Sequence, residues 1–185
     1  HPAPAQDAQR AMRLLRHHAD EWRLNPTALG VLGFSAGGHL ASTLAVHYED
    51  FHCAADDLAG RVSARPDAAV LCYPVIDLSG PHAHQGSRTN LIGRFDTITD
   101  MADLLTTHRH VTDETPPTFL WHTADDPAVP VENSFLFAQA CRAQGVPVEL
   151  HVYESGPHGV GLADDRPELA TWRDHCVAFL RRHLR

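Results

Sequence analysis

Ala28-Leu29-Gly30-Val31-Leu32-Gly33-Phe34-Ser35-Ala36-Gly37-Gly38-His39-Leu40-Ala41 is the stretch on which the fold turns. Its first half, Ala28 to Phe34, is apolar and strand-length, and reads as a short buried strand. A helix starts directly after Ser35, and the junction Gly33-Phe34-Ser35-Ala36-Gly37 matches G-x-S-x-G. A sharp strand–turn–helix bend of this kind strains the serine backbone and lifts its hydroxyl above the sheet edge. Glycines two residues to either side keep side chains from colliding with neighbouring backbone. The helix N-terminus brings positive dipole and free N–H groups to the place where an oxyanion would develop. Ser35 is therefore the candidate nucleophile, and the backbone N–H of Ala36 a candidate oxyanion-hole donor. A chance Gly/Ser turn is the bland alternative, and the strand before, the helix after and the additional Gly38-His39 weigh against it.

Outward from this junction, strands and helices alternate. Upstream, Ala8, Ala11, Met12, Leu15, Ala19 and Trp22 recur at helical spacing between Asp7 and Trp22, and Asn25-Pro26 stops that helix. Downstream, Ala68 to Tyr73 reads as a strand ended by Pro74, and Thr118 to His122 as another. A helix opening at Pro130-Val131 ends before Gly145, and Val148 to Tyr153 alternates Val148, Leu150 and Val152 against Glu149, His151 and Tyr153. The last helix carries Leu169, Trp172, Cys176, Phe179 and Leu180 at steps of three and four. Such alternation implies a parallel sheet with right-handed crossovers and helices on both faces. The segment 75–117 is too long and too irregular for a simple connection. It reads as an insertion or small lid within a single domain spanning 1–185, with a helix near Ile98 to Thr107.

A serine hydroxyl needs a base to become a useful nucleophile, and 15 histidines compete for that role. After a strand–Ser–helix junction the chain order is Ser, then an acid, then His. Gly156-Pro157-His158-Gly159 follows the final strand, where a flexible loop can reach across, so His158 is the candidate base. His151 lies inside the strand and His175 on the last helix, which places both less well. The acid belongs after the preceding strand, where Asp125 and Asp126 stand side by side before Pro127. Proline holds the residue before it extended, and Asp126 sits deeper in the loop. Asp126 is the candidate acid, with Asp125 a turn-forming side chain.

At these residues the chain resembles a family. Gly33 to Ala41, Pro116-Pro117-Thr118-Phe119-Leu120-Trp121-His122-Thr123-Ala124-Asp125-Asp126, Val129-Pro130 and Gly156-Pro157-His158-Gly159 are similar to the acetylxylan-esterase-like and feruloyl-esterase-like serine esterases of the α/β-hydrolase superfamily. The resemblance covers essentially the whole chain. It implies an α/β-hydrolase fold, a parallel sheet flanked by helices, and the acid on Asp126 through a D-x-x-V-P pattern. It further implies hydrolysis of small acyl esters, including acetyl groups of xylan-type oligosaccharides, without a cofactor or metal. The opening His1-Pro2-Ala3-Pro4 resembles the segment just after that family's fourth strand. The early strands and the Gly-rich loop that supplies a second oxyanion donor are thus expected upstream of residue 1. The serine-bearing strand would then have an open edge.

Bulk properties narrow the partners. The 185 residues carry a formal charge of −8, which disfavours a nucleic-acid backbone, although the histidines would offset much of it in mild acid. No apolar run approaches the ~18–20 residues that span a bilayer. Cys53, Cys72, Cys141 and Cys176 form no CxxC or metal-type spacing; they read as buried thiols of a reducing, cytoplasmic setting. His82 with His84, and His108 with His110, read as solvated loop histidines, and Asp77 as a structural turn. Phe119 and Trp121 read as core. Leu91, Ile92, Phe95 and Ile98 either line an acyl or sugar pocket or simply cover the sheet. The expected partner is a small ester or acetylated saccharide, and a homo-oligomer is compatible with the sequence. Two other readings stay open: a prolyl-oligopeptidase-type serine peptidase, and a non-catalytic, fragmentary hydrolase-like chain.

Overall fold

The computed structural model describes residues 1–51, 58–93 and 99–185. Cys53, Phe95 and Ile98 lie outside the described residues. Four strands, β1 (Gly30–Phe34), β2 (Ala68–Cys72), β3 (Thr118–Thr123) and β4 (Val148–Tyr153), form one parallel sheet in the order β1-β2-β3-β4. Phe34 stands opposite Cys72, Cys72 opposite Trp121, and Thr123 opposite Tyr153. The carboxyl ends of β1 and β2 are level, those of β3 and β4 run two residues further, and the loops that leave them gather at one edge. In open parallel sheets this is where ligands bind.

The sheet's two faces are covered by different helices. Ala69, Leu71 and Leu120 point to a cluster with Ala41 and Ala45 of α3 (Ala36–Val46) and Phe137, Ala138 and Cys141 of α6 (Glu132–Ala143). The alternate residues Ala68, Val70, Cys72, Phe119 and Trp121 pack against Trp172, Cys176 and Phe179 of α8 (Trp172–His183). Both faces of β2 and β3 are buried throughout, which is why these strands read as continuous apolar runs. Phe119 and Trp121 are fully buried core residues. Ahead of the last helix stands a single turn, α7 (Pro167–Ala170).

The N-terminal elements differ from what their sequence predicts. β1 begins at Gly30 rather than Ala28 and is half open, with Leu32 48% exposed, because among the described residues it pairs with β2 alone. The first helix runs Ala3–His17 (α1), breaks at His18 and resumes as the short α2 (Ala19–Trp22). Its inward face is Ala5, Gln9, Met12 and Arg13, whereas Ala11, Leu15 and Trp22 are exposed. Gln9 and Arg13 can be buried because each finds an acceptor: Gln9 Nε2 donates to His47 O at 2.6 Å, and Arg13 Nε to Val62 O at 3.0 Å. Arg13 also pairs with Glu49.

Between β2 and β3 the chain forms α4 (Gln85–Ile92) and α5 (Thr99–Leu104), followed by a 3₁₀ turn at Thr107–His110. Two histidines, His39 of α3 and His47 directly after it, pin this segment: His39 Nε2 donates to Leu105 O at 2.8 Å and His47 Nε2 to Leu104 O at 2.9 Å. Among the described residues no helix is long and apolar enough to cross a membrane.

Candidate active site

Ser35 sits between β1 and α3 with φ 53° and ψ −116°, a backbone region that side-chain-bearing residues avoid. The bend is held by its neighbours. Ser35 N donates to Cys72 O at 2.9 Å, and Ser35 O accepts from His39 N and Val75 N, both at 3.1 Å. Gly33 is obligatory, because a Cβ there would stand 2.0 Å from Gly37 O. The second steric glycine is Gly38, where a Cβ would come within 2.8 Å of Pro74 Cβ. Gly37, the last glycine of the G-x-S-x-G pattern, has nothing within 4 Å of its added Cβ, so the crowding expected there falls one residue later. Ala36 opens α3, and its N–H has no partner within the helix.

The three candidate side chains meet in one line. His158 Nε2 is 2.7 Å from Ser35 Oγ, and His158 Nδ1 is 2.7 Å from Asp126 Oδ2. With Asp126 ionised, Nδ1–H donates to the carboxylate and Nε2 is left to accept the serine proton. Asp126 Oδ1 accepts from the backbone N–H of Ala128 at 2.9 Å and of Val129 at 3.0 Å. Burial of the Asp126 side chain, 1% exposed, pushes its carboxyl up, but the His158 hydrogen bond and these two N–H groups outweigh it. The net result is a carboxyl below its ordinary range, charged at neutral pH.

Asp125 has another task, since its Oδ1 accepts from Gly156 N at 2.8 Å and ties the acid loop to the His158 loop. Thr123 Oγ1 adds a second tie, donating to Gly156 O at 3.0 Å. His151 and His175 lie away from Ser35 and stack on one another at 4.3 Å. Together with Glu149 their ligand atoms lie within 4.8 Å of one another. The two rings are nearly parallel, so their in-plane lone pairs run side by side instead of converging, and Glu149 is engaged by His151 and Arg182.

Asp77 is buried and closes a turn, accepting from Ser79 N at 3.1 Å, Gly80 N at 2.6 Å and His82 N at 3.2 Å. His84 caps α4 through Ser87 N, and His110 Nε2 donates to Asp103 O. Leu91 lines a cavity of about 380 Å³ beside Ala36 and Gly37, and with Ile92 it packs on Val75, Leu78, Leu105 and Val129, all outside the strands.

Two residues near the acid and base escaped the sequence reading. Tyr73 follows β2 with φ 37°, places its ring edge-on to His158 at 4.9 Å, and accepts from Gly161 N at 2.8 Å through its hydroxyl. His122, fully buried at the end of β3, stands 3.4 Å from Asp126 Oδ2. The signal for Tyr73 was the Tyr-Pro pair at a strand end, and for His122 a polar residue amid an apolar strand.

Comparison with known proteins gives the chain a family. The BD-FAE family model matches residues 1–141, which include Ser35 and Asp126. The chain belongs to the BD-FAE family. This BD-FAE chain is 38% identical over 165 residues to endo-1,4-beta-xylanase B of Butyrivibrio fibrisolvens, covering 89% of this chain and 26% of that one. It is 30% identical over 162 residues to an acetylxylan esterase of Xylanibacter ruminicola, covering 86% and 31%. Its fold is that of the α/β-hydrolases. A solved acetyl ester-xyloside bifunctional hydrolase of Caldicellulosiruptor lactoaceticus superposes with a TM-score of 0.93 at 48% identity, over 98% of this BD-FAE chain and 66% of that one. The chain thus spans about two thirds of that structure and about a third or less of the two curated relatives.

Proposed function

We propose that Ser35, His158 and Asp126 are a catalytic triad, and that the chain carries the nucleophile, base and acid of a serine esterase for small acyl esters. The observation that carries this reading is the unbroken hydrogen-bonded line from Ser35 Oγ through His158 to Asp126, at 2.7 Å for both links. The names of the relatives favour acetyl groups on xylan-type oligosaccharides as the substrate class.

In the reaction, Ser35 Oγ attacks the ester carbonyl carbon while His158 Nε2 takes its proton. Asp126 holds the imidazole in the tautomer with Nδ1 protonated and stabilises the imidazolium that forms. The Ala36 N–H, at the positive end of α3, donates to the oxyanion. Collapse breaks the C–O bond to the alcohol, which leaves with the proton from His158. Water then attacks the acyl-Ser35 ester, giving its proton to His158, and a second collapse returns that proton to Ser35 Oγ and releases the acid.

The test is stoichiometric labelling by a fluorophosphonate, together with acetate release from p-nitrophenyl acetate and from acetylated xylo-oligosaccharides. Labelling and release that both vanish in Ser35→Ala are expected. An unlabelled wild-type chain overturns the triad. Cleavage of prolyl peptides in place of esters overturns the substrate class.

A further inference from the structure

A second imidazole lies behind Asp126. His122 is fully buried, with Nε2 3.0 Å from Val129 O and 3.4 Å from Asp126 Oδ2, and Nδ1 2.8 Å from Ser134 Oγ. Both neighbours of Nε2 are acceptors, so Nε2 carries the proton. Nδ1 is then bare and accepts from the Ser134 hydroxyl. Ser134 is itself fully buried in the first turn of α6. Burial depresses the His122 pKa more than Val129 O and the Asp126 charge raise it, and the ring is neutral at pH 7.

This arrangement links three elements. Ser134 fixes the ring from α6, β3 supplies its backbone, and Nε2–H bridges the loop Asp126–Val129 from behind. Asp126 Oδ2 thus accepts from His158 Nδ1–H at 2.7 Å, while His122 Nε2, whose N–H donates to Val129 O, stands 3.4 Å away on its other side. A cationic donor in the second place would hold the carboxylate charge strongly and weaken its support of the His158 imidazolium. An uncharged N–H orients the carboxylate and weakens that support far less. An apolar side chain would leave Val129 O without this partner.

We propose that His122 is a positioning residue for the triad acid. In this role a neutral Nε2–H, set by Ser134, holds the Asp126 loop in register with His158. The inference rests on the triad assignment above. The titratable groups packed around the pair are His122 from β3, Tyr73 from the loop after β2, and the solvent-exposed Asp125 of the same loop.

The experiment measures the rate constant for fluorophosphonate labelling of Ser35 between pH 5 and 9 in the wild type, His122→Phe, His122→Gln and Ser134→Ala. His122→Phe should label about tenfold more slowly or worse, as displaced catalytic groups do. Its acid limb should move to higher pH, since an Asp126 relieved of the His122 N–H supports the His158 imidazolium more strongly. His122→Gln, whose amide nitrogen reaches the Nε2 position, should recover most of the rate. Ser134→Ala removes only a hydroxyl, should leave the fold intact, and should fall between.

An unchanged rate and profile in both His122→Phe and Ser134→Ala overturns the inference. So does a slower rate with an unmoved profile and no rescue by glutamine, which is the signature of simple loss of packing. Should His122→Phe not fold, Ser134→Ala and His122→Gln decide the matter. Long-range ¹⁵N–¹H spectra of the wild type provide a readout without chemistry. The Nε2–H tautomer at pH 7 is expected, and the Nδ1–H tautomer overturns the inference. A wild-type chain that labels nowhere overturns the triad first and this inference with it.

Discussion

Gly156 donates its N–H to Asp125 Oδ1 at 2.8 Å, and through that bond the acid loop holds the loop that carries His158. Two adjacent carboxylates therefore divide the work: Asp126 meets the imidazole, and Asp125 meets the backbone two residues before it. Asp126→Asn puts an amide where Nδ1–H needs an acceptor and favours the wrong tautomer. Ester turnover should fall by on the order of 10⁴, the scale of such a change in serine-protease triads. Asp125→Asn keeps an acceptor oxygen and should cost less than about tenfold, with Asp125→Ala costing more than Asp125→Asn. Steady-state rates on p-nitrophenyl acetate check the order. A larger loss in Asp125→Asn than in Asp126→Asn would exchange the two roles.

The three glycines flanking the elbow make a graded stability test. A Cβ at Gly33 meets backbone at 2.0 Å, one at Gly38 meets Pro74 at 2.8 Å, and one at Gly37 meets nothing. Gly33→Ala should destabilise most, by more than the ~1–3 kcal/mol usual for overpacking, because backbone has to move. Gly38→Ala should fall within that range. Gly37→Ala should be neutral or stabilising by up to about 1 kcal/mol, since it replaces glycine within a helix. Urea midpoints measured side by side give the ranking.

Much of this site could be read in the residues, and the reasons differ from place to place. The Ser35 elbow was legible because strand, motif and helix are contiguous, so local geometry decides it. Asp126 was legible because Pro127 restricts it, and His158 because chain order and a loop after the last strand single it out. The burial of Gln9 and Arg13 was not legible, since it depends on acceptors 38 and 49 residues away. Periodicity alone assigns the inward face to alanine, leucine and tryptophan, and Ala11, Leu15 and Trp22 turned out exposed. The steric role of Gly38 depends on Pro74, and that of His122 on Ser134 and Val129. Both arise only when separate strands and helices are brought together.

Three thiols should be inert in the native chain. Cys72, Cys141 and Cys176 are free and buried, and burial raises each pKa, to about 12 for Cys141 and about 11 for Cys176. The thiolate is the reactive form, so access and ionisation both oppose alkylation. Iodoacetamide at pH 8 followed by peptide mapping should leave all three unmodified in the folded protein and modify all three in 6 M guanidinium. Native labelling of Cys141, which packs between α6 and the sheet, would mean that this helix opens on the labelling timescale.

Acid should weaken the fold in two stages whose order follows from two kinds of group. His39 is 6% exposed and His122 fully buried; burial lowers both pKa values, outweighing the carbonyls of Leu105 and Val129 that raise them. In the unfolded chain both titrate near 6.5. The unfolded state therefore binds protons first as pH falls through that value, and stability drops from there down to the folded pKa of each. The slope is at most about 1.4 kcal/mol per pH unit for each histidine. Half-buried His108 is shifted the same way, chiefly by burial, and adds to the trend. Asp126 acts later: its folded pKa is depressed, so its contribution is present above the unfolded value of 3.8 and lost as pH falls through the folded one. Urea unfolding free energies should thus decline from about pH 6.5 downward and again below about pH 4. His39→Gln keeps an N–H donor for Leu105 O without a titrating ring, and should flatten the first decline by up to one proton's slope. A wild-type stability that stays level from pH 7.5 to 5.5 would show that these rings reach water before the chain unfolds.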